Sequence, residues 1–243
     1  MKKLFEMTAF FLANVIRKRT AYVYLGFMAL LILRYVFYED TPNFVMENRR
    51  ADYFSWAHFF GSWLLIMLNI SVFEEVLSRK NVDGLLSLGL TRAVIFGAAI
   101  LSVMIMILVW TCSILALSTY AARPPWPLFL RDAVAYLLLA VQLMLIQAFT
   151  LLLLGKMPIA SAAIAALGLY LAVGTIVPFF QEAPSIPAWI LPLAHQLYFG
   201  ISRYVDSGFF STELVHALLG VGAWFGIAVY WSMRTFMSKD LNA

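Results

Sequence analysis

The chain has 243 residues, of which 63% are hydrophobic and only 12% charged, and its formal net charge is +4. A soluble domain has roughly 45–50% apolar and about 25% charged residues, so this composition excludes an ordinary soluble enzyme or binding domain. The single cysteine, Cys112, excludes an intrachain disulfide.

Residues 1–19 have the pattern of an amphipathic helix. Its apolar face consists of Leu4, Met7, Phe11 and Val15, and the charged residues Lys3, Glu6 and Arg17 lie elsewhere. Such a helix lies in the headgroup plane of a membrane. The alternative is a basic leader that only sets the topology. No small-residue cleavage site follows, so we do not expect a removable signal peptide.

Six continuous apolar segments follow, each long enough to cross a bilayer, which takes about 20 residues. They cover residues 20–38, 53–73, 93–118, 133–154, 161–180 and 215–236. Strands of a membrane barrel would alternate in hydropathy, and these segments do not. We therefore predict an all-α membrane protein with six transmembrane helices in a single transmembrane domain spanning residues 1–243.

The distribution of Lys and Arg predicts that both termini are cytoplasmic. With that orientation eleven basic residues lie inside: Lys2, Lys3, Arg17, Lys18, Arg19, Arg79, Lys80, Arg92, Lys156, Arg234 and Lys239. Six lie outside: Arg34, Arg49, Arg50, Arg123, Arg131 and Arg203. Because basic residues stay on the cytoplasmic side, this excess supports the predicted orientation. We expect the membrane to be a bacterial inner (cytoplasmic) membrane.

Three segments are expected outside. Residues 39–52 form a short polar loop, and 119–132 contain a stiff Arg-Pro-Pro-Trp-Pro turn. Residues 181–214 are too apolar for a free loop and too rich in proline for a span. We predict that this segment re-enters the outer leaflet as short helices buried against protein.

Residues 74–92, the connector between the second and third spans, are the most polar segment on the cytoplasmic side. As a helix, it places Arg79, Lys80, Asp83 and Ser87 on one side and Val82, Leu85, Leu86 and Gly89 on the other. An amphipathic helix of this kind can present its polar face to a cytoplasmic partner and its apolar face to the bundle.

The connector resembles the cytoplasmic loop of type-two ABC exporter membrane subunits. Glu74 or Glu75 matches the acidic residue of that loop, and Asp83-Gly84-Leu85-Leu86 matches its middle. Leu90-Thr91-Arg92 matches its end, where Gly89 replaces the usual proline. The N-terminal helix, six spans and re-entrant segment fit the same family.

The resemblance implies a permease that pairs with a second copy or a paralogue and docks separate cytoplasmic ATP-binding subunits through the connector. ATP and Mg would be bound by those subunits. The implied coupling residues are Glu74, Glu75, Arg79, Lys80, Asp83, Gly84, Leu85, Leu86, Thr91 and Arg92. Exposed charges at Arg79, Lys80 and Asp83 suit a reversible, charge-complementary contact. The alternative is a connector kept soluble by its charges, with no partner.

Motifs for other chemistry are missing from the sequence. Gly155-Lys156 is followed by Met157 and lacks the upstream glycine of a P-loop, so the chain is not expected to hydrolyse ATP. We predict no catalytic residues, cofactor, metal or nucleic-acid partner. The histidines His58, His195 and His216 are better read as interfacial or packed residues than as ligands. Ser62 lacks the flanking pattern of a protease nucleophile.

The predicted spans are almost free of charge, which argues against the ionisable relay of an ion-coupled transporter. Gln142 and Gln147 are the mid-span polar residues of the fourth span and are expected to bond neighbouring helices. Gly222 and Gly226 form a small-residue pattern for close helix approach. An uncharged interior favours hydrophobic or amphipathic cargo: a lipid, peptide, drug or haem. The alternatives are a non-transporting scaffold or anchor subunit, and a membrane enzyme acting on lipids.

Overall fold

A computed structural model describes residues 2–17, 19–39, 46–77, 79–154, 156–180 and 212–238. These ranges contain helices and turns and no β-strand, which confirms the all-α prediction for this part of the chain. The eight helices within these described ranges are α1 (Lys2–Arg17), α2 (Arg19–Glu39), α3 (Met46–Leu77), α4 (Arg79–Ser87), α5 (Arg92–Ala122), α6 (Trp126–Leu153), α7 (Ile159–Phe180) and α8 (Thr212–Ser238).

The six apolar segments correspond to α2, α3, α5, α6, α7 and α8. Among the described residues, three stretches are long and apolar enough to cross a membrane: Tyr53–Glu74, Arg92–Ala122 and Trp126–Leu153. At 1.5 Å per residue each exceeds about 30 Å, the thickness of the hydrocarbon core. Their length and composition support a membrane protein.

Several helix boundaries in the structure differ from those predicted from the sequence. The helix α3 begins at Met46, inside the segment 39–52 that we predicted to be a loop, and it ends at Leu77. Both Glu74 and Glu75 therefore belong to α3. Of the predicted re-entrant segment, residues 181–211 lie outside the described part, and α8 already begins at Thr212. Hydropathy cannot detect such extensions, because a polar helical turn and a polar loop have the same composition.

The loop predicted over 119–132 is reduced to the three residues Arg123, Pro124 and Pro125. Arg123 adopts a left-handed conformation with φ 44°, and its N–H donates to the Thr119 carbonyl. The two prolines cannot continue α5, since proline lacks the N–H that a helix interior requires. The stiff turn is confirmed, but it is much shorter than expected.

The bundle is centred on a close approach between α3, α5 and α6. The Trp110 indole of α5 is buried and donates from Nε1 to the Ala57 carbonyl of α3, at 3.1 Å. A Cβ atom added at Gly61 would lie 2.8 Å from Trp110 Nε1 and 3.1 Å from Leu143 Cδ1 of α6. Only glycine leaves room for both neighbours at this position.

The predicted apolar face of α1 is confirmed, and it contacts protein. Met7, Phe11 and Val15 are buried, and α1 packs mainly against α5. The opposite flank leaves Phe5 63% and Ile16 64% exposed. These apolar side chains fit a helix whose free surface meets the membrane interface.

We predict that Gly61→Ala destabilises the bundle, because the added methyl group would displace the buried Trp110 ring. Overpacking of a core costs about 1–3 kcal/mol. The matched control is Gly226→Ala in α8, where an added Cβ would meet nothing within 4 Å. Both variants gain the same helix propensity, so their difference in thermal unfolding in detergent reports the clash. Equal melting temperatures would contradict the close approach.

Candidate functional site

The helix α4 is the central part of the connector, and its two faces differ as predicted. Val82 is completely buried, and Leu85 and Leu86 are half-buried against the core of the bundle. On the other side Asp83 and Ser87 are exposed. The side chains of Arg79 and Lys80 are outside the described part, although both residues belong to the first turn of α4.

A tight turn ends α4 and corrects one detail of the predicted apolar side. Gly89 lies beyond the end of the helix, is exposed, and has φ +72°. The Gly89 N–H donates to the Leu86 carbonyl at 2.9 Å, which closes the turn. Proline is fixed near φ −65°, so it could not adopt this conformation. The departure from the exporter pattern at residue 89 is therefore a requirement of this turn.

The N-terminal helix is fastened to the same turn. Lys3 Nζ of α1 donates to the Gly89 carbonyl at 3.0 Å. This contact could not be predicted from the sequence, because Lys3 lies in a segment typical of a basic leader and is 86 residues from its partner. The contact places α1 beside the connector, so a displacement of the connector would act on α1 as well.

Thr91 and Arg92, the end of the exporter-like motif, both have structural partners. Thr91 is the N-cap of α5, and its hydroxyl accepts a hydrogen bond from the Val94 N–H. Arg92 Nη1 donates to the Met237 carbonyl in the last turn of α8, at 3.2 Å. A cation at a helix C-terminus also interacts favourably with the helix dipole. Arg92 therefore joins the start of α5 to the end of α8.

A row of aromatic rings lies close to these contacts. Phe96 of α5 stacks on Phe236 of α8 with 5.1 Å between ring centroids. Phe73 of α3 packs edge-on against Phe96 at 5.7 Å. Offset and edge-on aromatic pairs contribute about 0.5–1.5 kcal/mol beyond the area they bury. Three helices are thus held together at the end of the bundle that carries the connector.

The structure brings the remaining predicted residues to the same end. Glu74 is exposed in the last turn of α3, and Glu75 follows it, with its side chain outside the described part. Gly84 is exposed within α4. The site therefore combines an exposed surface on α4 with packing of this helix against α3 and α5, and the turn after α4 accepts a hydrogen bond from α1.

The other candidates show packing contacts. Ser62 donates from Oγ to the His58 carbonyl in its own helix at 2.9 Å. Among the described residues no group of three His, Cys, Asp or Glu side chains is arranged to hold a metal. His195 and the side chain of His216 lie outside that part.

We predict that Gly89→Ala loosens the connector, because a side chain in the left-handed region costs about 1–2 kcal/mol. Amide hydrogen exchange over residues 79–91 should become about 5–30-fold faster. The control Gly84→Ala lies inside α4, where an added Cβ meets nothing within 4 Å. There alanine favours the helix, so exchange should be unchanged or slower. Similar exchange in both variants would refute the role of the turn.

Comparison with protein-family models, curated proteins and solved structures finds no match to this chain.

Proposed function

We propose that this chain is the permease subunit of an ATP-driven exporter, which forms the translocation path as a dimer and is driven by separate cytoplasmic ATP-binding subunits. In this proposal α2, α3, α5, α6, α7 and α8 are the six spans of a protein of the bacterial inner (cytoplasmic) membrane. The second permease is a copy or a paralogue. The resemblance of residues 74–92 to exporter loops suggested this function.

The main support for the proposal is that α4 packs against the bundle on one side and is exposed on the other. Val82 is completely buried, so the apolar side of α4 holds this helix against the bundle. The polar residues Asp83 and Ser87 are exposed on the opposite side. An exposed polar face on a firmly held helix suits a partner that binds and pushes reversibly.

The orientation of the proposed spans follows from an even number of crossings. Six spans place α1 and the end of α8 on the same side, and the Arg92–Met237 contact joins the start of α5 to that end. The charge excess of the sequence assigns this side to the cytoplasm. The connector is then accessible to a cytoplasmic ATPase.

The proposed cargo is hydrophobic or amphipathic. The buried polar residues within the described part of the chain are Thr8, Thr20, Ser62, Asn69, Ser102, Thr111, Ser118, Gln147, Thr150 and Ser232. None of them is charged, so the interior has no fixed ion to attract a charged solute or to relay protons. A partner's ATPase supplies the driving force instead.

Co-purification tests the proposal. From native membranes, the tagged full-length chain should retain a soluble P-loop ATPase. Exchanging the charges of α4 with Lys80→Asp and Asp83→Lys leaves the net charge unchanged but reverses the pattern. We expect retention to fall at least about tenfold, since like charges brought together at an interface cost more than about 1.4 kcal/mol.

The control exchanges charges on α1 with Lys2→Glu and Glu6→Lys, which reverses an exposed pair separated by 4.0 Å. ATPase retention should stay at the level of the unmodified chain. An intact bundle that retains no ATPase would favour the scaffold function, and lipid turnover by the isolated chain would favour the enzyme.

Cysteine labelling tests the orientation. Cys112 is exposed and would be replaced by serine first. On that background, Asp83→Cys should react with a membrane-impermeant thiol reagent only after cells are permeabilised, whereas Arg123→Cys should react in intact cells. Both positions are exposed in the structure. Labelling of Asp83→Cys in intact cells would place the connector outside and reject the exporter.

A further inference from the structure

Two buried side-chain amides have no hydrogen-bond partner among the residues that the structure describes. Asn69 of α3 and Gln147 of α6 are both 0% exposed. Within the described part of the chain, neither the amide nitrogen nor the amide oxygen of either residue has a hydrogen-bond partner. The expectation that Gln147 bonds a neighbouring helix is therefore wrong for this arrangement of the helices.

Leaving these groups unpaired is costly. A buried polar group without a hydrogen bond destabilises a protein by about 1–3 kcal/mol, and each amide here leaves both its donor and its acceptor unpaired. More than about 90% of buried polar groups in proteins are paired. Two such amides in one bundle point to a second arrangement in which they find partners.

Two contacts give the register of α3, which carries Asn69, against α6, which carries Gln147. The Phe54 and Tyr136 rings contact each other across the seam between these helices, with centroids 5.4 Å apart. Seven residues farther along both helices, Gly61 faces Leu143. The two helices therefore run in the same direction and in register, since two turns of α-helix take about seven residues.

Extending this register brings the amides close in height. One turn after Leu143 comes Gln147, level with Leu65 of α3, and one turn after Leu65 comes Asn69. The two amides are thus separated by about one helical turn, or roughly 5–6 Å, along the helix axes. The buried residues described for α7, which contacts both helices, are Ala162, Ala163 and Ala166, whose methyl groups cannot bond an amide.

We propose that Asn69 and Gln147 line a passage between α3 and α6 that is closed in this structure and opens to admit the neutral, hydrogen-bonding part of an amphipathic cargo. The inference rests on the proposed export function. When the seam parts, water or cargo satisfies both amides, which offsets part of the cost of separating the apolar surfaces. Amides offer a donor and an acceptor without charge, so they suit hydroxyl or amide groups of the cargo.

Thermal unfolding tests the closed state. Asn69→Leu and Gln147→Met replace each amide by an apolar side chain of similar size in the full-length protein. Because the amides are unpaired when the seam is closed, both variants should melt at a higher temperature than the unmodified chain, and export should fall. A lower melting temperature in both would mean that the amides are already paired, which would overturn the proposal.

Thiol labelling tests the open state. On a Cys112→Ser background, Asn69→Cys and Gln147→Cys should react with a small water-soluble thiol reagent at least about tenfold faster than Leu31→Cys. Leu31 is equally buried, at 0% exposure, but contacts Tyr53 on the α2 side of α3. Equal slow labelling at all three positions would show that the seam never opens and would overturn the passage.

The labelling and co-purification experiments together distinguish a failure of the proposed passage from a failure of the proposed export function. If no ATPase co-purifies but Asn69→Cys and Gln147→Cys still label rapidly, the seam opens without the proposed motor, and only the export function fails. If an ATPase is retained and both cysteines stay protected, the export function stands and the passage lies elsewhere.

Discussion

The close approach of Trp110 to Gly61 is the constraint on which the rest of the bundle depends. In lipid, helices satisfy their own backbone groups and gain no hydrophobic drive towards one another, so their association relies on tight packing and a few interhelical hydrogen bonds. The indole N–H supplies one such bond to Ala57. The missing side chain at residue 61 lets α3, α5 and α6 converge. Tyr24 and Phe27 of α2 then pack on the same indole, so a fourth helix is placed by the same contact.

The end of the bundle that carries the connector is held by different means. Here the contacts join backbone carbonyls to cations: Lys3 to Gly89 and Arg92 to Met237. Such bonds fix the ends of helices without filling the space between them, and Phe73, Phe96 and Phe236 pack beside them. This end of the bundle is firmly connected, and one side of α4 remains exposed on its surface.

The described interior combines uncharged buried polar side chains with two amides that lack a hydrogen-bond partner. Its buried polar side chains carry no charge in the described part, which keeps the bundle stable in lipid. Most of the hydroxyls among them donate to a backbone carbonyl, often of their own helix, as Thr111 and Thr150 do. Among the described residues, Asn69, Gln147 and the Ser118 hydroxyl are exceptions, because their buried polar side-chain atoms have no hydrogen-bond partner. The unpaired amides make the described part of the bundle less stable than it would be with both amides paired.

Sequence alone determined the helical segments, because lipid demands long apolar runs and hydropathy reports them directly. It also determined the two faces of α1 and α4, since the 3.6-residue period assigns each side chain to a face. Tertiary structure alone decided that Gly89 needs a left-handed backbone, that Lys3 reaches it, and that Arg92 joins α5 to α8. These contacts connect residues as far as 145 positions apart, and no local pattern encodes such a distance. The same holds for Gln147. The sequence predicts that this residue bonds a neighbouring helix, and only the tertiary structure shows that its amide has no partner among the described residues.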